Sequence, residues 1–420
     1  MSLHVETPNP HPGLGLTQFV ILMAALMALG ALGIDSMLPA LPAMARGFHV
    51  ARANDQQLVV TVFLLSFGAA QLVYGPLTDR YGRKPVLLWA LAFYGLFAVM
   101  AAVAPSFGLL LVWRGLQGAA VAATRIAPIS IVRDSYSGRT MAQVMSLTSM
   151  AFMAVPIMAP ALGQAVLLFA SWRWIFGVLA IATAAVALWT LIKLPETLHP
   201  EDRRAINVAE VLEAFRITLQ SRVGMGYTLA STVIFGALFG FVSSAPQVFD
   251  QAFHQPEKFT LVFATVAGFI ALASLVNARL VNRLGMRVMA HGALLAFIAV
   301  SAVHSAFALS GHETIVSFTI LQSAAMFGFG ILSGNFAAMA MDPMGHVAGS
   351  AASAQGFISM VGGSLIGFLI GQQFDGTLVP IAVGYLVCGL VALGIVLVAE
   401  KGKLFASRHR PNPDAAGIGH

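Results

Sequence analysis

The chain has 420 residues, of which 58% are apolar or aromatic and only 10% charged, against about 25% charged in an average soluble protein. So apolar a surface must face something other than water, which excludes an ordinary soluble enzyme and makes a lipid bilayer the natural solvent. The one cysteine, Cys388, excludes an intrachain disulfide, and the net charge of +6 hints at nucleic acid only until the basic residues are placed along the chain.

Runs without Asp, Glu, Lys or Arg cover 7–34, 56–78, 85–113, 140–172, 174–192, 223–249, 259–278, 288–312, 314–341, 343–374 and 376–399. Each is long enough for the roughly 20 residues with which a helix crosses about 30 Å of hydrocarbon. A twelfth span is predicted between Phe107 and Val132, where an apolar, helix-length segment carries Arg114 and Arg125. None of these runs alternates apolar and polar residues as a barrel strand would. The first lacks a basic flank and is too long for a signal peptide, so it reads as a retained span one.

Lysines and arginines set the orientation. Seventeen fall in the tails and loops on the side of the N-terminus, and only Arg46, Arg52, Arg173 and Lys258 on the other. The positive-inside bias then places both termini in the cytoplasm, and the basic excess needs no nucleic acid to explain it. The long hydrophilic interruption from Pro195 to Arg222 divides the spans six and six. Within it Val208, Val211, Leu212, Phe215 and Leu219 share a helical face, with Asn207 and Glu210 at capping-box spacing. The predicted organisation is an N-terminal tail (1–16), a six-helix bundle (17–194), a linker with a surface helix (195–222), a second bundle (223–399) and a C-terminal tail (400–420).

Matching loops carry an internal repeat. GPLTDRYGRK, residues 75–84, follows span two, and ARLVNRLGMR, residues 278–287, follows span eight. At constant offset Arg80 meets Arg283, Gly82 meets Gly285, and Lys84 meets Arg287. Further motifs are IDSMLPALP at 34–42, RGLQG at 114–118, Arg133–Asp134, SWRWIF at 171–176 and LPET at 194–197. With these residues the chain resembles the major facilitator superfamily. Within it, the likeness is to the twelve-span drug:proton antiporters of the bicyclomycin and chloramphenicol/florfenicol resistance branch. The resemblance implies an all-α integral membrane fold of two pseudo-symmetric six-helix bundles in a bacterial inner membrane. It also implies that Gly75, Asp79, Arg80, Gly82, Arg83 and Lys84, with Asp134, lock the cytoplasmic side closed in one state. One departure is span five, where the antiporter signature puts glycines beside its proline and this chain has Ala159, Pro160, Gly163 and Gln164.

The chemistry can be read from the residues themselves. No GxxxxGK[ST] loop is present to bind a nucleotide, so an ion gradient is the expected drive. Ionisable residues inside a membrane are functional candidates by default, and Asp35, Arg114 and Arg125 qualify. Asp35 lies about 24 Å along span one and Arg114 about 10 Å below the outer face, so their depths agree within a turn or so. They are the candidate proton-coupling pair, although Asp35 could instead cap a solvated turn and Arg114 could be an anchor. Arg114 and Arg125, eleven residues apart, share a face on an ideal helix with Gly118 and Val121 between them. That face is expected to line a wet cavity, the alternative for Arg125 being a structural residue snorkelling to the cytoplasm. Pro156, Pro160 and Gly163 are candidates for a kink in span five, and Gly363, Gly367 and Gly371 in span eleven have GxxxG spacing that close packing alone explains. Phe235, Phe239, Gln247, Asn335 and Gln355 are candidate cavity residues of the second half. No metal-ligand spacing is present, HETI at 312–315 lacking a second histidine.

The expected function is therefore transport by alternating access, with protons as coupling ion and no other cofactor. The expected partners are a small amphiphilic, mostly uncharged substrate such as an amphenicol, protons and membrane lipid, with a monomer favoured. Proton-coupled export or import of a metabolite such as an amino acid or sugar would share every motif.

Overall fold

The computed structural model describes residues 14–203 and 208–405, with the side chains of 208–212, 214 and 345–350 left outside that description. The expected cap between Asn207 and Glu210 lies outside the described residues, as do most of both tails. Twelve helical segments are long and apolar enough to cross a membrane. In chain order, spans one to six are Leu16–Gly47, Ala53–Tyr81, Arg83–Ala102, Phe107–Ser135, Gly138–Phe169 and Arg173–Lys193. Spans seven to twelve are Arg222–Ala252, Pro256–Leu284, Met286–Ser310, Ile315–Met344, Ala351–Gln372 and Val379–Ala399. A helix over Val208–Gln220 joins the halves and packs on span eleven, where Phe215 meets the Phe357 ring edge-on.

Three spans of the first half are broken helices, each with proline as the cause. Proline has no N–H, and its ring crowds the carbonyl four residues back. Pro39 and Pro42 end the regular helix of span one at Asp35, after which the chain continues through a tight turn into Leu41–Gly47. Pro128 faces the Thr124 carbonyl, and span four divides at Ala122 into Phe107–Val121 and Ala123–Ser135. Span five divides at Ala154, two residues before Pro156, and carries Pro160 farther on.

Glycines let these broken segments pack closely. A β-carbon at Gly118 would overlap the Phe63 backbone carbonyl of span two, and one at Gly163 would overlap the Ser36 carbonyl just past the break in span one. In the second half Gly363 and Gly367 face Thr232, Phe235 and Phe239, so the glycine stripe of span eleven serves contact with span seven. Between halves, spans two and eleven pack together, with Gly68 against Met360 and Val361. The far half of span five, Val155–Phe169, packs on span eight, whereas Gly138–Met153, nearer the linker, packs on span one.

The two ends of the molecule are therefore unlike. At the end away from the linker, Gln57 Nε2 donates to Gln247 Oε1 (3.0 Å) and to the Gly371 carbonyl (3.0 Å), and Gln247 Nε2 donates to Asn54 Oδ1 (2.6 Å). Asn54 Nδ2 also donates to the carbonyls of Gln372 and Phe374, and Arg46 stands 3.8 Å from Asp250. Among the described residues, every hydrogen bond and ion pair between the halves lies at this end.

Adding one methyl group at a tight helix crossing tests the packing. Gly118→Ala and Gly163→Ala are expected to lower the thermal midpoint of the purified protein, by overpacking worth about 1–3 kcal/mol each. Gly268→Ala, whose β-carbon would meet nothing within 4 Å, is expected to be neutral or to stabilise by about 0.5–1 kcal/mol. Equal midpoints for all three would show that the crossings are not close-packed.

Candidate functional site

Ending a helix inside a bilayer frees carbonyls that no water can satisfy. In span one the Ser36 N–H bonds to Leu32 and the Met37 N–H steps back only to Ile34, leaving the Gly33 carbonyl without its helical partner. Arg114 takes it. The guanidinium is fully buried and donates to the Gly33 carbonyl (3.0 Å), the Val59 carbonyl (3.2 Å) and Gln117 Oε1 (2.6 Å). Its central carbon lies 4.3 Å from the Phe63 ring centre and 5.9 Å from that of Phe176. Nearby, the Tyr94 hydroxyl donates to the Leu29 carbonyl (3.0 Å). Arg114 thus ties spans one, two and four together.

Just beyond this tie, a cavity of about 240 Å³ lies between the halves. The first half contributes Gly30, Ile34, Asp35, Phe67, Thr124, Arg125, Phe152 and Pro156. The second half contributes an apolar wall that includes Phe239, Phe241, Phe263, Val266 and Phe329. Among the lining residues only Asp35, Thr124 and Arg125 carry polar side chains, and the Thr124 hydroxyl is already donated to the Val121 carbonyl at 2.8 Å. Asp35 is 7% exposed, whereas Arg125 is exposed.

The predicted residues separate. Asp35, Arg125, Phe239 and Pro156 lie on the cavity. Gly118 and Val121 do not: Gly118 is pressed against the backbone of Phe63 and Val121 is fully buried. Arg114 is likewise buried away from the cavity on which Arg125 stands, and it makes no ion pair with Asp35, its donors being spent on backbone and amide oxygens. Gln247 is held by the bonds that close the far end, and Asn335 is tied to Asn277 Oδ1 (2.7 Å) within the second half. Gln355 is buried off the cavity, and Phe235 supports the wall from behind through the rings of Phe239 and Phe329. Pro160 and Gly163 are buried where span five meets the break in span one.

The loop motif forms a compact charged cluster at the linker end. Arg83 pairs with Asp79 and, through Nε at 3.1 Å, with Asp134, and also donates to the Thr78 hydroxyl. Gly82 has φ +101°, a backbone only glycine adopts readily, and it turns the chain into span three. Glu196, in LPET, accepts from the backbone N–H groups of Arg83 (2.9 Å) and Lys84 (3.2 Å), capping that helix with a negative charge. Lys84 reaches the Leu191 carbonyl, Arg80 stacks on Tyr81, and Gly75 has open space around it. All these partners belong to the first half.

Sequence reasoning passed over three groups. Glu400, after span twelve, pairs with Arg287 at 3.1 Å and accepts from the Tyr227 hydroxyl, repeating in the second half the position of Glu196. Gly285, which the repeat already pairs with Gly82, has φ +84°, and continuing that repeat to the end of each half would have found Glu400 as well. His304 Nε2 lies 2.7 Å from Glu313 Oε1 with both side chains buried, a pairing across a helix end that no spacing signals. The Asn54–Gln57–Gln247 cluster joins distant segments and left no local trace.

Comparison with known proteins agrees with this architecture. Residues 21–367 match the family model of the Major Facilitator Superfamily. An uncharacterised MFS-type transporter, YdgK, of Bacillus subtilis is 30% identical over 86% of this chain and 89% of its own length. A chloramphenicol resistance protein of Pseudomonas aeruginosa is 30% identical over 94% of each chain, and a bicyclomycin resistance protein homologue of Haemophilus influenzae is 26% identical over 86% and 91%. Among solved structures, a bacterial homologue of the human lysosomal transporter Spinster, captured inward-facing and occupied, superposes with a TM-score of 0.71 at 14% identity, covering 91% of this chain and 96% of that one. Broken spans around a cavity between two bundles, with glycine-turned charged loops at one end, thus sit on a sequence matched along most of its length. The chain belongs to the major facilitator superfamily and is a multi-pass transporter of the bacterial inner membrane rather than an enzyme.

Proposed function

We propose that this transporter exports small amphiphilic, mostly uncharged compounds of the amphenicol type in exchange for protons, by alternating access. The observation that carries the reading is Asp35. It ends the regular helix of span one, faces the cavity between the halves, and has no hydrogen-bond or ion-pair partner among the described residues. An intramembrane carboxyl held ready in this way exchanges a proton with whichever side the cavity opens to. The relatives named for chloramphenicol and bicyclomycin resistance support the outward direction and the class of cargo. With both termini in the cytoplasm, the linker end is the cytoplasmic end, and the bonds among Asn54, Gln57, Gln247 and Gln372 close the periplasmic side. Asp35 then gives its proton to the cytoplasm, substrate enters, and the cycle turns when the halves rock and the Gly75–Lys84 cluster engages the second half. The protein works as a monomer, with no cofactor beyond the proton.

Coupling is tested with Asp35→Asn in proteoliposomes under an imposed pH gradient. Uphill movement of chloramphenicol is expected to vanish while expression, elution profile and downhill exchange persist. Uphill transport at the wild-type rate would remove Asp35 from the coupling step.

The conformational balance is tested by distances between spin labels at Arg139→Cys, on span five, and Arg279→Cys, on span eight, both exposed at the linker end. Asp79→Asn is expected to enlarge the long-distance population by roughly fivefold, about 1 kcal/mol, because its ion pair with Arg83 is half exposed. Gln247→Ala, which removes two hydrogen bonds at the opposite end, is expected to shift it the other way. Unchanged distributions in both variants would mean that neither cluster biases the two states.

A further inference from the structure

Arg125 is the unexplained charge of this molecule. Arg114 shows what a structural arginine requires in this bilayer: three oxygen acceptors and two aromatic faces. The Arg125 side chain has neither a hydrogen bond nor an ion pair among the described residues, and it stands on the cavity wall one residue from Thr124, whose own hydroxyl is committed. The position is imposed by the fold. Ala123, Thr124, Ala127 and Pro128 around it are buried while Arg125 is exposed on the cavity wall, and its backbone N–H makes the short i−3 bond to the Ala122 carbonyl (3.2 Å). A guanidinium offers five N–H donors and does not give up its charge. In apolar surroundings those donors gain most from an acceptor that fits between them.

The remaining polar group on the wall is Asp35, an acceptor when ionised. The rest of the lining is apolar, with six phenylalanines: Phe67, Phe152, Phe239, Phe241, Phe263 and Phe329. Ionised Asp35 and Arg125 sum to zero, and protonated Asp35 leaves the cavity at +1. In neither state does the lining carry the net negative charge that would draw in a permanent cation.

We infer that Arg125 is a specificity-determining residue: it donates to a hydrogen-bond acceptor on the substrate, such as a nitro, sulfonyl or carbonyl group, while Asp35 accepts from a hydroxyl or amide N–H of the same molecule. The substrate class is then a net-neutral compound with an apolar ring, one strong acceptor and at least one donor. This rests on the cavity being the substrate site of the antiporter proposed above. Because a substrate donor stabilises ionised Asp35, binding of such a compound and loss of the proton favour each other, which is the linkage that antiport needs.

The test compares two probes by equilibrium binding to the purified protein. Chloramphenicol carries a nitro acceptor and hydroxyl donors; tetraphenylphosphonium is a permanent cation with neither. Arg125→Met is expected to weaken chloramphenicol binding about tenfold or more and to leave tetraphenylphosphonium binding unchanged or tighter. Arg125→Lys, which keeps charge and donors, is expected to stay within about threefold of wild type for chloramphenicol. If Arg125→Met does not fold, as judged by elution profile and thermal midpoint, Arg125→Ala, which also removes every side-chain donor, carries the same comparison. Loss of both probes in equal measure, or of neither, in a folded variant would overturn the inference and leave Arg125 a snorkelling residue. In that case, pH-driven export of chloramphenicol by the wild type would still uphold the antiport reading. If wild type binds chloramphenicol but a pH gradient does not drive it, the antiport reading fails, and the selective loss in Arg125→Met still decides the inference. Wild type that binds neither probe overturns both.

Discussion

A carbonyl orphaned inside a bilayer has to find a donor within the protein, and the Gly33 carbonyl, released where span one breaks, finds Arg114. Much of the first half follows from that bond. The guanidinium reaches across from span four only because Gly118 lets span four lie against the backbone of Phe63, whose ring then covers the charge. The same break leaves Asp35 at the helix end and exposes the Ser36 carbonyl, against which Gly163 seats span five. The Asp35 carboxyl is thereby mounted on a rigid, fully bonded support beside the cavity. The arginine that ensures this is spent in doing so, and the charge that shares the cavity lining with Asp35 is another, Arg125.

The halves repeat their scaffold and divide their chemistry. Each begins its third span at a glycine with a left-handed backbone, Gly82 or Gly285, and each brings a glutamate from beyond its sixth span to the start of that helix, Glu196 or Glu400. Glu196 caps backbone N–H groups, whereas Glu400 binds side chains of Arg287 and Tyr227. The prolines that break helices beside the cavity belong to spans one, four and five of the first half, which also supplies Asp35 and Arg125. The second half answers with an aromatic wall, built on the close glycine packing of spans seven and eleven. The polar and the aromatic parts of the cavity lining thus come from different bundles.

What closes the far end is modest. Neutral amide hydrogen bonds contribute about 0.5–1.5 kcal/mol each, net of the water they displace, so a cluster built mainly of such bonds holds the two halves together without a deep energy trap. A closure made of buried ion pairs would hold one state too firmly, because separating buried charges costs far more than separating amides.

The number of spans, their division six and six, the bias of basic residues, the glycine-turned loops and the intramembrane position of Asp35 were all legible in the sequence. They could be read because the bilayer imposes a one-dimensional rule: every stretch of about 20 residues that crosses must be apolar, and any charge within it needs a reason. Facing directions were not legible. Arg114 and Arg125 share a face on an ideal helix, yet one is buried on oxygens of spans one, two and four and the other stands on the cavity. Gln247 and Asn335 look alike in sequence as polar residues of apolar spans, but their partners, Gln57 and Asn54 for one and Asn277 for the other, come from segments that only packing brings together. Local composition determined what could cross the membrane. Which side chain met which was decided by the tertiary structure, because hydrogen-bond partners between spans are set by how the helices pack.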